Sequence, residues 1–256
     1  MYVERVPVEV PTRAPTGETA CYVVGDDGAL LVDPPALDER IERHLDDVEH
    51  VAVTHHHPDH VGSVADYAEA AGAAVWCRYG RESQFQDVTG AIPDHTFREG
   101  TTIPTVDGDV TVRETPGHAP EHVAFEAGDN LLSGDLAVAA GSVVVGDPEG
   151  DVRAYLTSLR RVIAMASDRL YPRHGPVIED VRGTCERLIT HRLDRERRVL
   201  AAVESGNRTV ADILDAAYEK DLTGVRDLAG ATVRAHLWKL HHEGRIEFDG
   251  ARADPA

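Results

Sequence analysis

The chain has 256 residues and a formal charge of −19 at pH 7, long enough to bury a full core and to form one large domain, alone or with a small appendage. Lysine occurs only at Lys220 and Lys239, so the other 24 of the 26 basic residues are arginine; this balance resembles proteins from cells with molar internal salt, where the Debye length falls to roughly 3 Å and an acidic surface repels an anionic partner far less than in dilute buffer. Cys21, Cys77 and Cys185 form no CxxC pair, the first residues lack the charged-then-apolar pattern of an export signal, and no apolar run approaches the ~20 residues of a bilayer span; together these predict a soluble cytoplasmic protein with reduced thiols.

In chain order, "YVERVPVEV", "TACYVVG" and "ALLVDPP" read as strands of one sheet, the last two joined by the turn cluster Gly25 to Gly28. A helix pattern follows from Leu37 to Asp47, then the strand "HVAVT", then a helix from about Pro58 to Ala71 that stops at Gly72. "AAVWCR", "VTVRETP", "HVAFEA" and "NLLSGD" supply further strands, and Asp151 caps the amphipathic helix "VRAYLTSLRRVIAMA". Two strand-rich stretches carrying helices predict two sheets with helices outside.

After "LYPRHGPVIED" the character changes to the charged helical run "RGTCERLITHRLDRERRVLAAVESG", then "TVADILDAAY", "ATVRAHLWKLHHEG" and "RIEFDG". Helix, helix, longer helix and a short ribbon closed by Asp249-Gly250 is the pattern of a winged helix. The boundary falls near residue 180, giving a catalytic domain over 1–180 and a winged-helix-like domain over 181–256. His236, His241 and His242 in the second segment read as surface residues.

The strand-to-helix junction "VTHHHPDHVG" concentrates chemistry. His55, His57, Asp59 and His60 alternate along a loop so that they can converge, and neutral imidazole and carboxylate are natural ligands of zinc and similar divalent ions. Four such residues are too many for one tetrahedral ion that also holds water, so the loop predicts two adjacent ions, most simply Zn2+. His118 in "TPGH", Asp135 in "LLSGD" and His174 in "YPRHGP" each end a predicted strand, where loops gather over a sheet edge. Two ions sharing a water lower its pKa to roughly 7 and polarise a carbonyl or phosphoryl oxygen, which predicts hydrolysis without a protein nucleophile.

The series His-x-His-x-Asp-His, then a lone His, a lone Asp and a lone His, resembles the metallo-β-lactamase superfamily over roughly residues 15 to 180. The resemblance implies an α/β fold, a four-layer αββα sandwich with the site at one edge of its paired sheets. It implies one ion on His55, His57 and His118, another on Asp59, His60 and His174, and Asp135 bridging them, which makes Asp59 and Asp135 the candidate catalytic carboxylates. Asp33 in "LLVDPP" matches an aspartate that orients ligands through hydrogen bonds. His122 in "TPGHAPEH" would touch substrate or support the site, whereas His56 should point away. Arg173 departs from the glycine of a "GHGP" motif and would place a planar cation beside a ligand, suited to gripping a carboxylate or phosphate.

Within the superfamily, Asp135 where secreted zinc β-lactamases commonly place cysteine argues against antibiotic defence. The 38 residues between Asp135 and His174 leave no room for the large inserted cap domain of RNA-processing members. "THHHPDHVG", "TPGHAPEH", "SGDL", "YPRHGPVI", "HRLDRERRVL" and "HLWKLHHEGRI" together resemble the lactamase-like subfamily with a C-terminal winged helix, some of whose members are endoribonucleases for single-stranded RNA. A glyoxalase II-like thioesterase, acting on a small-molecule ester or thioester, is the alternative, and a mononuclear-iron dioxygenase a further one that the seven-ligand set argues against. The longer C-terminal helix offers Arg234 and Lys239 with Glu243 against them, which argues against DNA recognition.

Overall fold

The computed structural model describes residues 1–256, which divide into two units: Met1–Glu114 with Glu121–Ala140 and Ser167–Val181, and Thr115–Pro120 with Gly141–Ala166 and Arg182–Ala256. The first unit carries two sheets. One has six strands in the order β1 (Val3–Glu9), β2 (Glu18–Val24), β3 (Ala29–Val32), β4 (Val48–Ala52), β5 (Ala74–Arg78) and β6 (His95–Phe97). Its first three strands pair antiparallel and β3 to β6 pair parallel. The other runs β11 (Arg169–Pro172), β10 (Asn130–Gly134), β9 (Val123–Ala127), β8 (Val110–Glu114) and β7 (Thr102–Ile103), antiparallel except for the β10–β11 pair.

The period-2 alternation of the strands sorts two cores. Cys21, Val23 and Leu31 pack with Ile41, Val64, Tyr67 and Phe85 of the helices α1 (Glu39–Glu42), α3 (Val64–Ala71) and α4 (Glu82–Thr89). Tyr22, Val24, Leu30 and Val32 face Val112, Phe125 and Leu132 of the second sheet. The parallel pairs gather the chemistry-bearing loops. β3 and β4 lead at their carboxyl ends into Asp33 and into Thr54 and His55, and β10 and β11 lead into Asp135 and His174. Loops leaving the carboxyl ends of parallel strands are where open α/β sheets build binding sites.

Three local readings change. The helix expected over Leu37–Asp47 is a single turn, because Val48 already starts β4 and the Asp47 carbonyl accepts from the Ala29 amide. The helix expected over Pro58–Ala71 is two, α2 (Pro58–Val61) and α3, since Gly62 packs so closely on the Pro35 carbonyl that a Cβ would lie 2.3 Å from its oxygen, and the Ser63 amide donates to Pro34. Helix α4 and the short strands β6 and β7 had no clear sequence pattern.

In the second unit α5 (Val152–Met165) starts where the Asp151 carboxylate accepts from the Arg153 and Ala154 amides. The Thr115–Pro120 loop is fixed against it: Ser158 Oγ donates to the Pro116 carbonyl and the Asp151 amide to Gly117. A Cβ on Gly117 would come within 2.4 Å of the Tyr155 backbone. Beyond it lie α6 (Val181–Glu204), α7 (Val210–Ala217), α8 (Arg226–His242) and the antiparallel ribbon of β12 (Ile246–Phe248) and β13 (Ala253–Pro255). Val199, Val203, Ile213, Val233, Leu237, Leu240, Ile246 and Phe248 form their core. His236, read as a surface residue, is instead 0% exposed, 3.9 Å from Glu196. No helix is long and apolar enough to cross a membrane.

Candidate metal centre

The site begins with a buried carboxylate. Asp33 holds a left-handed backbone conformation, φ +55°, that a short polar side chain tolerates better than most. Its Oδ1 accepts the Thr54 amide at 2.5 Å and its Oδ2 the Thr54 hydroxyl at 2.7 Å. Burial would lift this carboxyl, but the neighbouring Arg173 guanidinium, with His60 and Thr54, outweighs it and holds the pKa below the usual carboxylate range. Having given its proton to Asp33, the Thr54 hydroxyl can accept from His55 Nδ1, 3.1 Å away. With Nδ1 donating there, His55 Nε2 carries no proton and faces His57 Nδ1 at 2.9 Å.

The same device recurs. His118 Nδ1 lies 2.7 Å from the Val144 carbonyl and His174 Nδ1 3.0 Å from the Glu18 carbonyl. A carbonyl only accepts, so each ring carries its proton on Nδ1 and presents Nε2. Asp59 sits in the first turn of α2, behind the Pro58 that starts it, and its Oδ2 accepts the Thr12 hydroxyl at 2.7 Å. His122 Nε2 accepts the Asp135 amide at 3.0 Å and is 1% exposed, so it fixes the backbone that carries Asp135. His56 turns away, its amide donating to the Glu121 carboxylate and its ring packed on Phe85.

Two groups of ligand atoms result. Those of His55, His57, His118 and Asp135 all lie within 4.8 Å of one another, and so do those of Asp59, His60 and His174. Asp135 reaches the second group as well: its Oδ2 is 3.7 Å from His60 Nε2 and its Oδ1 3.6 Å from His174 Nε2. His174 Nε2 is also 3.6 Å from Asp59 Oδ2. Burial pulls the His174 pKa down, but its contact with Asp135 more than offsets this and the pKa is raised.

The donor set fits a divalent metal on chemical grounds. Imidazole and carboxylate are the ligands of zinc and its neighbours, and His60 Nε2, fully buried, has no hydrogen-bond partner. An orphaned buried nitrogen amid carboxylates is costly unless something occupies it.

Arg173 is not where a substrate grip requires it. Its side chain is 1% exposed, with Nε 3.1 Å from His60 Nδ1 and 3.3 Å from Asp33 Oδ2. The reason is the ion pair with Asp33, which gives a buried guanidinium a partner that a surface position would not. Thr12, Thr54, Gly134 and the carbonyls of Glu18 and Val144 were missed from sequence. Of these only Thr54, adjacent to the cluster, carried a usable signal.

A family model described as the metallo-beta-lactamase superfamily matches residues 14–174, more than half of the chain. Among curated relatives, a beta-lactamase-like protein 2 homolog of Drosophila melanogaster is 29% identical over 221 residues, covering 82% of this chain and 74% of that protein. The thioesterase pkgB of Emericella nidulans is 30% identical over 193 residues, covering 73% of this chain and 51% of that protein. Among solved structures, a metallo-beta-lactamase family protein from Thermus thermophilus superposes with a TM-score of 0.80 at 23% identity, covering 99% of this chain and 98% of that one.

Proposed function

This chain belongs to the metallo-beta-lactamase superfamily, whose members are generally hydrolytic metalloenzymes, and on that premise we propose that it is a dinuclear metal-dependent hydrolase of small-molecule thioesters. One ion would be held by His55, His57 and His118, the other by Asp59, His60 and His174, with Asp135 between them, as its distances to both groups favour. When bound, two divalent ions, zinc in this reading, activate water and polarise the acyl carbonyl. Water adds at the acyl carbon, the C–S bond breaks, and a carboxylic acid and a thiol leave, so one proton travels from water to sulfur. Asp59, steadied by the Thr12 hydroxyl, and Asp135 are the carboxylates at hand to carry it.

The commitment of the Arg173 guanidinium to Asp33 and His60 is the observation that favours a thioester over a phosphodiester. A phosphate wants that cation on the substrate side; a neutral carbonyl does not. The relative named a thioesterase supports the same choice. A second reading, internal cleavage of single-stranded RNA, draws on the C-terminal helices and ribbon, α7, α8, β12 and β13, whose order fits a winged helix over residues 181–256 beside a catalytic domain over 1–180. Free, buried Cys21, Cys77 and Cys185 suit a reducing cytoplasm.

Zinc-loaded protein in molar KCl, offered an acyl thioester and a labelled single-stranded RNA, tests the reading. Thioester turnover that His57→Ala abolishes, with the RNA left whole, is the expected result. RNA cut internally with the thioester intact would replace it with the nuclease reading.

A further inference from the structure

Among the ligand imidazoles of the centre proposed above, His57 Nδ1 faces His55 Nε2 at 2.9 Å, and His60 is the one whose Nδ1 meets a cation. His55, His118 and His174 each give the Nδ1 proton to an oxygen. His60 Nδ1 instead faces the Nε of Arg173 at 3.1 Å. A guanidinium has only donors and keeps its proton in a protein, so this contact occupies the Nδ1 lone pair. The neutral ring then carries its proton on Nε2, the atom 3.7 Å from Asp135 Oδ2 that an ion would need bare. The alternative is within reach. Asp33 Oδ2 lies 3.5 Å from the same Nδ1 and can accept a proton there if Arg173 gives up its contact. Meanwhile the Arg173 terminal nitrogens Nη1 and Nη2 are buried without a hydrogen-bond partner, so the guanidinium is held by few contacts for so deeply buried a cation.

We propose that Arg173 is a positioning residue that makes the two metal sites unequal. The group His55, His57, His118 and Asp135 fills first. The group Asp59, His60 and His174 takes an ion only when His60 exchanges Arg173 for Asp33 as its Nδ1 partner, and a fixed positive charge beside that group weakens it further. The inference rests on the two-ion reading of the site and adds an order and a cause to it. Its function is to make full loading depend on metal supply: at scarce metal the protein holds one ion, and at abundance two.

Zinc titration of the metal-free protein by calorimetry, with a competing chelator to reach tight binding, reads this directly. Wild type should bind in two steps, the second at least tenfold weaker than the first. Arg173→Met keeps the bulk and removes charge and donor; it should tighten the second step at least tenfold and leave the first unchanged. Asp33→Asn removes the charge that offsets the guanidinium and should weaken the second step. Opposite shifts are the signature, because residues that merely held the fold would both weaken binding. Two equal steps in wild type overturn the inference without touching the two-ion reading, and this outcome does not depend on either variant folding. A second step that Arg173→Met leaves unchanged or weakens, in protein whose circular dichroism matches wild type, also overturns it. Absence of any zinc binding overturns both.

Discussion

Gly134→Ala tests how the fold holds Asp135. Gly134 ends β10 at φ +53°. A Cβ there would lie 2.6 Å from His122 Nε2 and 2.9 Å from Thr54 Oγ1. Neither neighbour is a flexible tip: both are 1% exposed, His122 accepting the Asp135 amide and Thr54 holding Asp33. An L-residue in the left-handed region costs about 1–2 kcal/mol. Pushing His122 off the Asp135 amide strands a buried N–H at about 1–3 kcal/mol. The sum, about 2–5 kcal/mol, is a large part of the ~5–15 kcal/mol that a folded domain has in all. Gly90→Ala is the control, since Gly90 also has positive φ, +73°, but nothing within 4 Å of an added Cβ; it should carry only the backbone cost. Urea denaturation of metal-free protein compares the two, and zinc stoichiometry then reports on Asp135. Gly134→Ala no less stable than Gly90→Ala, and loading two ions like wild type, would refute the argument that this glycine makes room for the His122–Asp135 contact.

Other expectations follow from the same geometry. Arg192, 2% exposed, donates to the Val143 carbonyl beside the Val144 carbonyl that holds His118; Arg192→Met should cost about 1.5–3 kcal/mol in urea and weaken the first zinc step. His191 is pushed down to about 4 by burial and by Arg192 and Arg195; because the unfolded chain takes up this proton near pH 6.5 and the folded one does not, stability should fall as pH drops from about 6.5 to about 4, and His191→Gln should flatten that slope in pH-dependent melting. Removing metal with a chelator should lower the melting temperature, by the equivalent of about 2.7 kcal/mol if zinc was present at a hundred times its Kd; an unchanged melt would count against a metal held by the fold. A net charge of −19 should make the melting temperature of metal-free protein climb between dilute and molar KCl as self-repulsion is screened, and a flat response would remove the salt-adapted reading of the surface.

The strands, and the histidines and aspartates that the fold gathers into two clusters, were legible because each is written in side chains. The alternation in "TACYVV" sets Cys21 and Val23 against the helices and Tyr22 and Val24 against the second sheet, and a period of two needs no knowledge of partners. Helix extents were less legible where a long-range contact decides them. The break between α2 and α3 falls at Gly62, where the Pro35 carbonyl leaves no room for a Cβ, and the glycine itself is the only local mark of it. His236 reads as polar surface from residue type alone, yet its neighbours Val233, Ala235, Leu237 and Leu240 are buried with it on α8 and it turns inward toward Glu196, so the apolar stripe of the helix was the better guide to its side.

The candidate ligands and the groups that hold them differ in the same way. His55, His57, His118 and His174 are conspicuous because imidazole is chemically specific and these four, of the chain's 14, fall in a tight cluster or at strand ends. What aims His118 and His174 is the carbonyl of Val144, 26 residues away, and of Glu18, 156 residues away, and every residue has a carbonyl. A main-chain acceptor leaves no trace in composition or motif, so the aiming of an imidazole becomes visible only when the backbone is placed. Arg173 shows the consequence. Beside His174 it reads as a hand extended to substrate, since a surface arginine near a metal ligand is a common way to hold an anion. Its direction is settled by Asp33, 140 positions earlier at the end of a strand of the other sheet. The same side chain that would have argued for a phosphate substrate therefore lies against Asp33 and His60, a contact between the loops that follow β11 and β3 that neither stretch of sequence announces alone.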